Sequence, residues 1–275
     1  MSRFKLGLQL YSVRNEMEKD MEGTIKAVAE MGYDCVEFAG YFGRTAEEVR
    51  EMCDRYGLEI VSVHQIHTPM LERPEEEIEF FKTLGIKYYA IPYVGKEEWE
   101  ADYDKLIDEF KQISENLKGT GIKLLYHNHD FEFYVKRGDL CVLDSIYKDL
   151  GTDVIAPELD MCWVHYSGND PIEYVKKYGD VEEVLHLKDF ECTKLAGGPV
   201  YALIDAEGKA QGGDKDSDGF EFRPVGYGRQ NVPAIMKAAE DTAIKYVIVE
   251  QDNHPSGDAL KDAKDSIDYL KSIGY

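Results

Sequence analysis

The sequence predicts one α/β domain over residues 1–275, built as a (β/α)8 TIM barrel. The main observation is a repeated unit in which a helix-length segment, a glycine and an apolar run follow one another. The glycines that mark the unit are Gly32, Gly57, Gly85, Gly121, Gly151 and Gly179. They lie 25 to 36 residues apart, which is about the length of a helix plus a strand with short loops. Each glycine is expected to end a helix in the left-handed conformation.

An opening and a closing apolar run raise the number of expected strands to eight. They are expected near residues 5–11, 34–39, 59–64, 87–92, 122–128, 154–160, 183–188 and 245–251. The runs are continuously apolar, as in Tyr246–Val249, which is typical of parallel strands covered by helices. A doubly wound open sheet is the alternative, but it favours a glycine-rich phosphate loop after the first strand, and GLQLYSVRN (7–15) contains none.

One interval is too long: 66 residues separate Gly179 from the start of the last strand at Lys245. The surplus lies at about 190–230, is rich in glycine and aspartate, and predicts a long loop at the mouth of the seventh strand. Within it, DKDSDG (214–219) is similar to a calcium loop but lacks the glutamate that closes one, so a solvated loop is favoured.

The amino-acid composition limits the classes of molecule that the protein is expected to bind. The 54 acidic and 32 basic residues give a formal charge of −22, which disfavours binding to nucleic acid or to an acidic membrane surface. No apolar stretch reaches a membrane span and no signal peptide is evident, so a cytoplasmic location is expected. Five scattered cysteines without a C-x-x-C spacing predict neither a disulfide framework nor a thiolate zinc site.

Polar residues end most of the expected strands. They are Glu37, His64, His127 to Asp130, Glu158 to Asp160, His186 to Asp189 and Glu250 to Asp252. The carboxyl ends of barrel strands meet at one mouth, where buried charges need compensation. Imidazoles mixed with carboxylates suit Mn²⁺, Mg²⁺, Co²⁺ or catalytic Zn²⁺, and Mn²⁺ is preferred.

Five segments together resemble one family. YHNHDFEF (126–133), ELDMCWV (158–164), HLKD (186–189), FRPVGYG (222–228) and VEQD (249–252) are similar to the xylose isomerase-like sugar phosphate isomerases/epimerases. That family includes ketose 3-epimerases and inosose dehydratase, and it is related in fold to endonuclease IV. The anionic chain disfavours the endonuclease activity.

The resemblance implies a ligand set. In the epimerases Glu, Asp, His and Glu hold the metal, and Asp160, His186 and Glu250 match the last three. At the first position this chain has His127, and the inosose dehydratase type is also histidine-rich there. We therefore predict His127, Asp160, His186 and Glu250 as ligands, with His129 or Glu132 as alternatives to His127. Glu158 is expected to support Asp160.

The expected reaction forms an enediolate from a keto sugar, giving isomerisation or epimerisation. A dehydratase or lyase acting on a keto-inositol or 3-keto sugar is an alternative, as is a sugar-binding barrel without turnover. The residues expected to act in catalysis are Glu250, His129 and Lys188, and those expected to bind substrate are His64, Glu37, Trp163 and Arg223. Few basic residues are available for a phosphate clamp, so an unphosphorylated sugar or cyclitol is favoured. The oligomeric state stays open, although such barrels often pair through outer helices.

Overall fold

The computed structural model describes residues 3–198, 200 and 219–275. The strands are β1 (Lys5–Gln9), β2 (Cys35–Phe38), β3 (Glu59–His64), β4 (Tyr88–Ile91), β5 (Lys123–His127), β6 (Lys136–Arg137), β7 (Leu140–Cys141), β8 (Ala156–Glu158), β9 (Val184–Leu187), β10 (Asp189–Glu191), β11 (Glu221–Arg223) and β12 (Tyr246–Val249). Eight of them form one parallel sheet in the order β8-β5-β4-β3-β2-β1-β12-β9. These eight lie at the positions expected from the sequence, which confirms the barrel.

Helices alternate with these strands. They are α1 (Arg14–Lys19), α2 (Met21–Met31), α3 (Ala46–Tyr56), α4 (Thr68–Glu72), α5 (Pro74–Leu84), α6 (Lys96–Ala101), α7 (Tyr103–Leu117), α8 (Phe131–Tyr134), α9 (Val142–Leu150), α10 (Met161–Tyr166), α11 (Pro171–Tyr178), α12 (Val232–Ala239) and α13 (Ala259–Ser272). Within the described ranges no helix has the length and apolarity to cross a membrane.

The sheet closes where β8 meets β9. Asp160 and His186 form an isolated parallel bridge, and the His186 amide donates to the Leu159 carbonyl at 2.9 Å. The two residues that complete the barrel are thus two of the predicted metal ligands.

The largest apolar cluster lies between the strands and the helices. A second cluster fills the barrel interior with Cys35, Val61, Tyr88, Ala90, Leu125, Ala156, Val184, Tyr246 and Ile248. Gly7 belongs to this region, since a Cβ there would lie 2.5 Å from Ile248 Cδ1 and 2.8 Å from Cys35 Sγ. The polar residues at the carboxyl ends of the strands therefore lie next to a layer of closely packed apolar side chains.

Two partly buried carboxylates connect strands at the amino-terminal end of the barrel. Glu59 accepts from Lys5 and Lys87, each at 2.5 Å. Glu183 accepts from Lys123, from Lys245 at 2.6 Å, and from the Tyr88 hydroxyl at 2.6 Å.

The prediction that each repeat glycine ends a helix in the left-handed conformation is wrong at three positions: Gly121 lies beyond the end of α7, Gly151 has a ψ of 147° that is outside the left-handed region, and Gly179 is right-handed. Gly32, Gly57 and Gly85 do end helices with φ of +93°, +76° and +76°. Gly179 has φ −58° and is right-handed. A glycine is needed at this position because there is no room for a side chain: a Cβ on Gly179 would lie 2.5 Å from Thr242 Cγ2.

The long segment after β9 begins as a hairpin in which β10 pairs antiparallel with β11. Phe190, Val200 and Phe222 pack there with Cys162, Trp163 and Tyr166 of α10. Most of DKDSDG (214–219), the calcium-loop candidate, lies outside the described residues.

Candidate metal centre

The four predicted ligands lie together at the carboxyl end of the barrel. His127 ends β5, Asp160 follows β8, His186 lies in β9 and Glu250 follows β12 directly. All four are buried. Each offers one ligand atom, and these atoms all lie within 4.8 Å of one another. We call this group the outer set.

Local structure fixes how Asp160 presents its carboxylate. Asp160 is the N-cap of α10, and its Oδ1 accepts from the Cys162 amide at 2.8 Å. The Asp160 amide in turn donates to Asn128 Oδ1 at 3.1 Å. Oδ2 faces Lys188 Nζ at 3.2 Å and His127 Nε2 at 3.7 Å.

The outer set fits a divalent cation. Neither His127 nitrogen has a hydrogen-bond partner among the described residues, and Asp160 Oδ2 is held there by its ion pair with Lys188 Nζ at 3.2 Å. Leaving such buried groups unsatisfied costs about 1–3 kcal/mol each, and coordination would satisfy them. Burial, assisted by His186, holds the pKa of His127 well below its usual range, so the ring is neutral as a ligand must be.

Glu250 is held in its ionised form. Burial opposes its charge, but Lys188 and His186 outweigh burial and lower its pKa. Its Oε2 lies 2.8 Å from His186 Nδ1. The anionic Glu250 carboxylate and the neutral His127 imidazole are donors that suit Mn²⁺, Co²⁺ or Zn²⁺.

Lys188 supplies positive charge to this end of the barrel. Its Nζ lies 3.0 Å from Glu250 Oε2 and 3.2 Å from both Asp160 Oδ2 and Asp252 Oδ2, and its side chain is 1% exposed. Asp189, which follows it, instead accepts backbone N–H groups from Gly226, Gly228 and Gln230. Lys188 thus pairs with the outer-set carboxylates rather than with its neighbour.

A second polar group lies directly behind the outer set. Glu37 Oε1 lies 2.7 Å from His186 Nε2 and 2.9 Å from His64 Nε2. His64 Nε2 also lies 2.7 Å from Glu158 Oε2, and Gln9 donates to Glu37 Oε1 at 2.7 Å. Glu37 therefore fixes the orientation of His186, which the sequence alone does not reveal.

Glu132, considered as an alternative ligand, belongs to neither potential metal-binding group in the described chain. Its Oε1 accepts from the Tyr126 hydroxyl at 2.7 Å and its Oε2 accepts from the His129 amide at 2.9 Å. Burial raises its pKa to about 8. Glu132 thus holds the turn that presents His129, whose ring centroid lies 5.2 Å from that of His127.

A cavity of about 300 Å³ opens onto the outer set. Its wall consists of Tyr11, Ala39, His64, Gln65, Ile66, Pro92, Tyr93, His127, His129, Lys188, Glu250 and Asp252. Sequence reasoning did not single out Gln65, Ile66, Pro92 and Tyr93, although they follow the ends of β3 and β4, where such residues belong in a barrel.

Three residues expected to bind substrate are not part of this wall. Glu37 is fully buried beneath His186, and Trp163 is fully buried against Phe220, with ring centroids 5.4 Å apart. Arg223 forms an ion pair with Glu221.

Comparison with known proteins agrees with this architecture. Residues 25–273 match the family of xylose isomerase-like TIM barrels, and the chain belongs to that family. An inosose dehydratase of Clostridium perfringens is 23% identical, with 93% of this chain and 92% of the relative covered. An inosose dehydratase of Geobacillus kaustophilus is 22% identical, and that match spans 60% of each chain, less than two thirds of the relative's length.

Solved structures share the fold. A sugar phosphate isomerase/epimerase of Parabacteroides distasonis superposes with a TM-score of 0.75 at 21% identity, covering 100% of this chain and 96% of the other. D-psicose 3-epimerase, crystallised with D-fructose, gives 0.65 at 14% identity, covering 98% and 99%. The IolI protein with a bound zinc atom gives 0.66 at 16% identity, covering 98% of each chain.

Proposed function

We propose that this protein is a divalent-metal-dependent carbohydrate isomerase or epimerase that converts a keto sugar through an enediolate. The observation that carries the proposal is the outer set, two members of which, His127 and Glu250, line the cavity, together with the two buried His127 nitrogens that have no hydrogen-bond partner among the described residues. The zinc of the IolI protein supports a divalent ion on this fold.

The bound ion, for which Mn²⁺ is our preference, would polarise the substrate carbonyl and so acidify the neighbouring C–H. Two groups at the cavity are suited to move the proton. Glu250 is ionised, and His129 is neutral because burial and Lys188 lower its pKa. The Lys188 ammonium would stabilise the developing oxyanion, and His64 would bind a hydroxyl.

The cavity favours a substrate without phosphate. Among its described wall residues Lys188 is the only lysine or arginine, and it already contacts three carboxylates. A phosphate clamp needs several such groups. An unphosphorylated keto sugar or cyclitol fits better.

A dehydratase or lyase is the second candidate. His127 stands where the epimerases of the resemblance have a glutamate, so the pair of carboxylate bases is incomplete. The curated relatives are inosose dehydratases. Loss of a β-hydroxyl needs a base for the C–H and an acid for the leaving group. The neutral His129 ring can take the C–H proton and then, as imidazolium, give it to the leaving hydroxyl, and Glu250 is the other candidate base.

The test is hydrogen exchange in D₂O. The protein with Mn²⁺ is incubated with ketoses, 3-keto sugars and inososes, each beside its phosphorylated counterpart where one exists. We expect deuterium at a carbon next to the carbonyl of an unphosphorylated compound, and the product distinguishes epimerisation from elimination. Glu250→Gln should abolish exchange, whereas Glu240→Gln, the same change at the surface, should not.

Absence of exchange on every compound would refute the proposed chemistry for that panel. Sugar-dependent thermal stabilisation without exchange would instead support a binding barrel without turnover.

A further inference from the structure

Behind the outer set lies a second group of potential ligands, which we call the inner set: His64, His127, Glu158 and His186. One atom from each of these residues lies within 4.8 Å of the others. We propose that the inner set binds a second divalent cation. Its carboxylate, Glu158, is the last residue of β8 and precedes Asp160 by two residues, so this site lies deeper in the barrel than the outer set. The proposal concerns binding and does not require the outer set to be catalytic.

The two sets are different positions, because the shared histidines face them with different nitrogens. His127 directs Nδ1 toward Glu158 at 3.5 Å and Nε2 toward Asp160 at 3.7 Å. His186 directs Nδ1 toward Glu250 at 2.8 Å and Nε2 toward Glu158 at 3.6 Å. The inner and outer carboxylates therefore lie on opposite edges of the same two rings.

Atoms without partners point to a ligand at the inner set. His127 Nδ1 and Glu158 Oε1 have no hydrogen-bond partner among the described residues, although both side chains are at most 1% exposed. The ring of His64 stacks on that of His186 with centroids 5.0 Å apart. His64 and His127 line the cavity, which provides a route for the ion.

Charge supports a second cation. Glu37, Glu158, Asp160 and Glu250 are four buried carboxylates within one network of contacts. One divalent ion in the outer set compensates two of them, and Lys188 is shared with Asp252. A divalent ion in the inner set would take over the compensation of Glu37 and Glu158, which in the metal-free protein comes from His64 and His186, because these carboxylates raise the pKa of both rings against the effect of burial.

The donors define the kind of ion. Three imidazoles and one carboxylate favour Zn²⁺ or Co²⁺ over Mg²⁺ or Ca²⁺. A ring that binds an ion at each nitrogen must release its N–H proton to solvent. Because of this, and because the two ions repel each other, the second ion should bind more weakly than the first.

The test counts ions on the full chain. Metal-free protein is titrated with Zn²⁺ and examined by native mass spectrometry, with elemental analysis of the same samples. We expect a first ion, then a second at higher Zn²⁺, and no second ion with Mg²⁺. Glu158→Gln should lower the count to one, and so should Asp160→Asn combined with Glu250→Gln.

Glu182→Gln is the matched control. Glu182 is a buried carboxylate that accepts from the Leu159 amide and belongs to neither set, so this variant should still bind two ions. Circular dichroism checks the fold of each variant, and the wild-type count does not depend on any substitution.

A wild-type count that never exceeds one would overturn the inference. A count of two that Glu158→Gln leaves unchanged would also overturn it, because the second ion would then sit elsewhere on this acidic chain. If the protein binds one ion and catalyses exchange, the proposed function stands and the inner site is refuted. If it binds two ions and catalyses no exchange, the inner site stands and the proposed function is refuted.

Discussion

Lys188→Met tests how charge is balanced at the carboxyl end of the barrel. The ammonium lies within 3.2 Å of carboxylate oxygens of Asp160, Glu250 and Asp252, and it is almost fully buried. Removing one partner of a buried ion pair costs about 3–5 kcal/mol, because the remaining charge stays uncompensated. We therefore expect the metal-free variant to lose about 3–5 kcal/mol of unfolding free energy.

Metal should reverse much of this loss, because a divalent ion on Asp160 and Glu250 replaces the missing charge. The assay is urea unfolding at pH 7 in EDTA and in excess Mn²⁺, with wild type and variant side by side. An ion at about 100 times its Kd adds about 2.7 kcal/mol to any chain that binds it only when folded. Since the variant lacks a competing cation, Mn²⁺ should stabilise it more than it stabilises the wild type.

Lys87→Met provides the matched control. Lys87 also bonds a carboxylate, Glu59, but it is 52% exposed and lies at the other end of the barrel. The Lys87→Met substitution should lower the free energy of unfolding by about 1 kcal/mol or less. Mn²⁺ should stabilise this variant no more than it stabilises the wild type. If Lys188→Met behaves like Lys87→Met, the reasoning about the buried charges is wrong.

Three further predictions concern single positions. His127→Ala should weaken Mn²⁺ binding by more than about 100-fold, measured by calorimetry, and unchanged affinity would remove His127 from the ligands. Burial opposes ionisation of Glu183, but hydrogen bonds from Lys123, Lys245 and Tyr88 outweigh it and lower its pKa to about 2. The folded pKa lies below the unfolded value of about 4.3, so the stabilisation is complete above that value and is lost as the pH falls toward 2. Urea unfolding should thus show wild type more stable than Glu183→Gln at pH 7, with the gap shrinking between pH 4 and pH 2; a constant gap would contradict the pairing. Gly7→Ala should cost about 1–3 kcal/mol in the same assay, because its Cβ overlaps Ile248 and Cys35, and a neutral result would show that the barrel floor can relax.

The strands were predictable because continuous apolar runs between helix-length segments leave little choice of sheet. The residues at which the strands end were less predictable, because local hydrogen bonds determine where each strand stops. The first strand stops at Gln9, whose side chain accepts from the Tyr11 amide and starts a 3-10 turn at Leu10–Val13. The sixth barrel strand stops at Glu158, since Asp160 already caps α10.

The outer set could be located from the sequence because each member stands at or just beyond the end of a strand. The contacts behind it could not. Glu37 meets His186 across the barrel interior, 149 residues away in sequence, and neither residue type announces that pairing. Trp163 is covered by residues of the hairpin that come about 60 positions later, so its burial depends on tertiary structure alone.

Within α8 the opposite holds, because the role of Glu132 is local. Its carboxylate reaches back three residues to the His129 amide, a spacing typical of the start of a helical turn. From the residue types alone, a glutamate that makes this contact cannot be distinguished from a glutamate that binds a metal.

Crystals grown with Mn²⁺ and measured on both sides of the manganese absorption edge would test the central claim most directly. We expect an anomalous peak bonded to His127, Asp160, His186 and Glu250, and the peak should vanish in a crystal of Asp160→Asn combined with Glu250→Gln. A peak located elsewhere, with these four side chains engaged only with one another and with Lys188, would contradict the account.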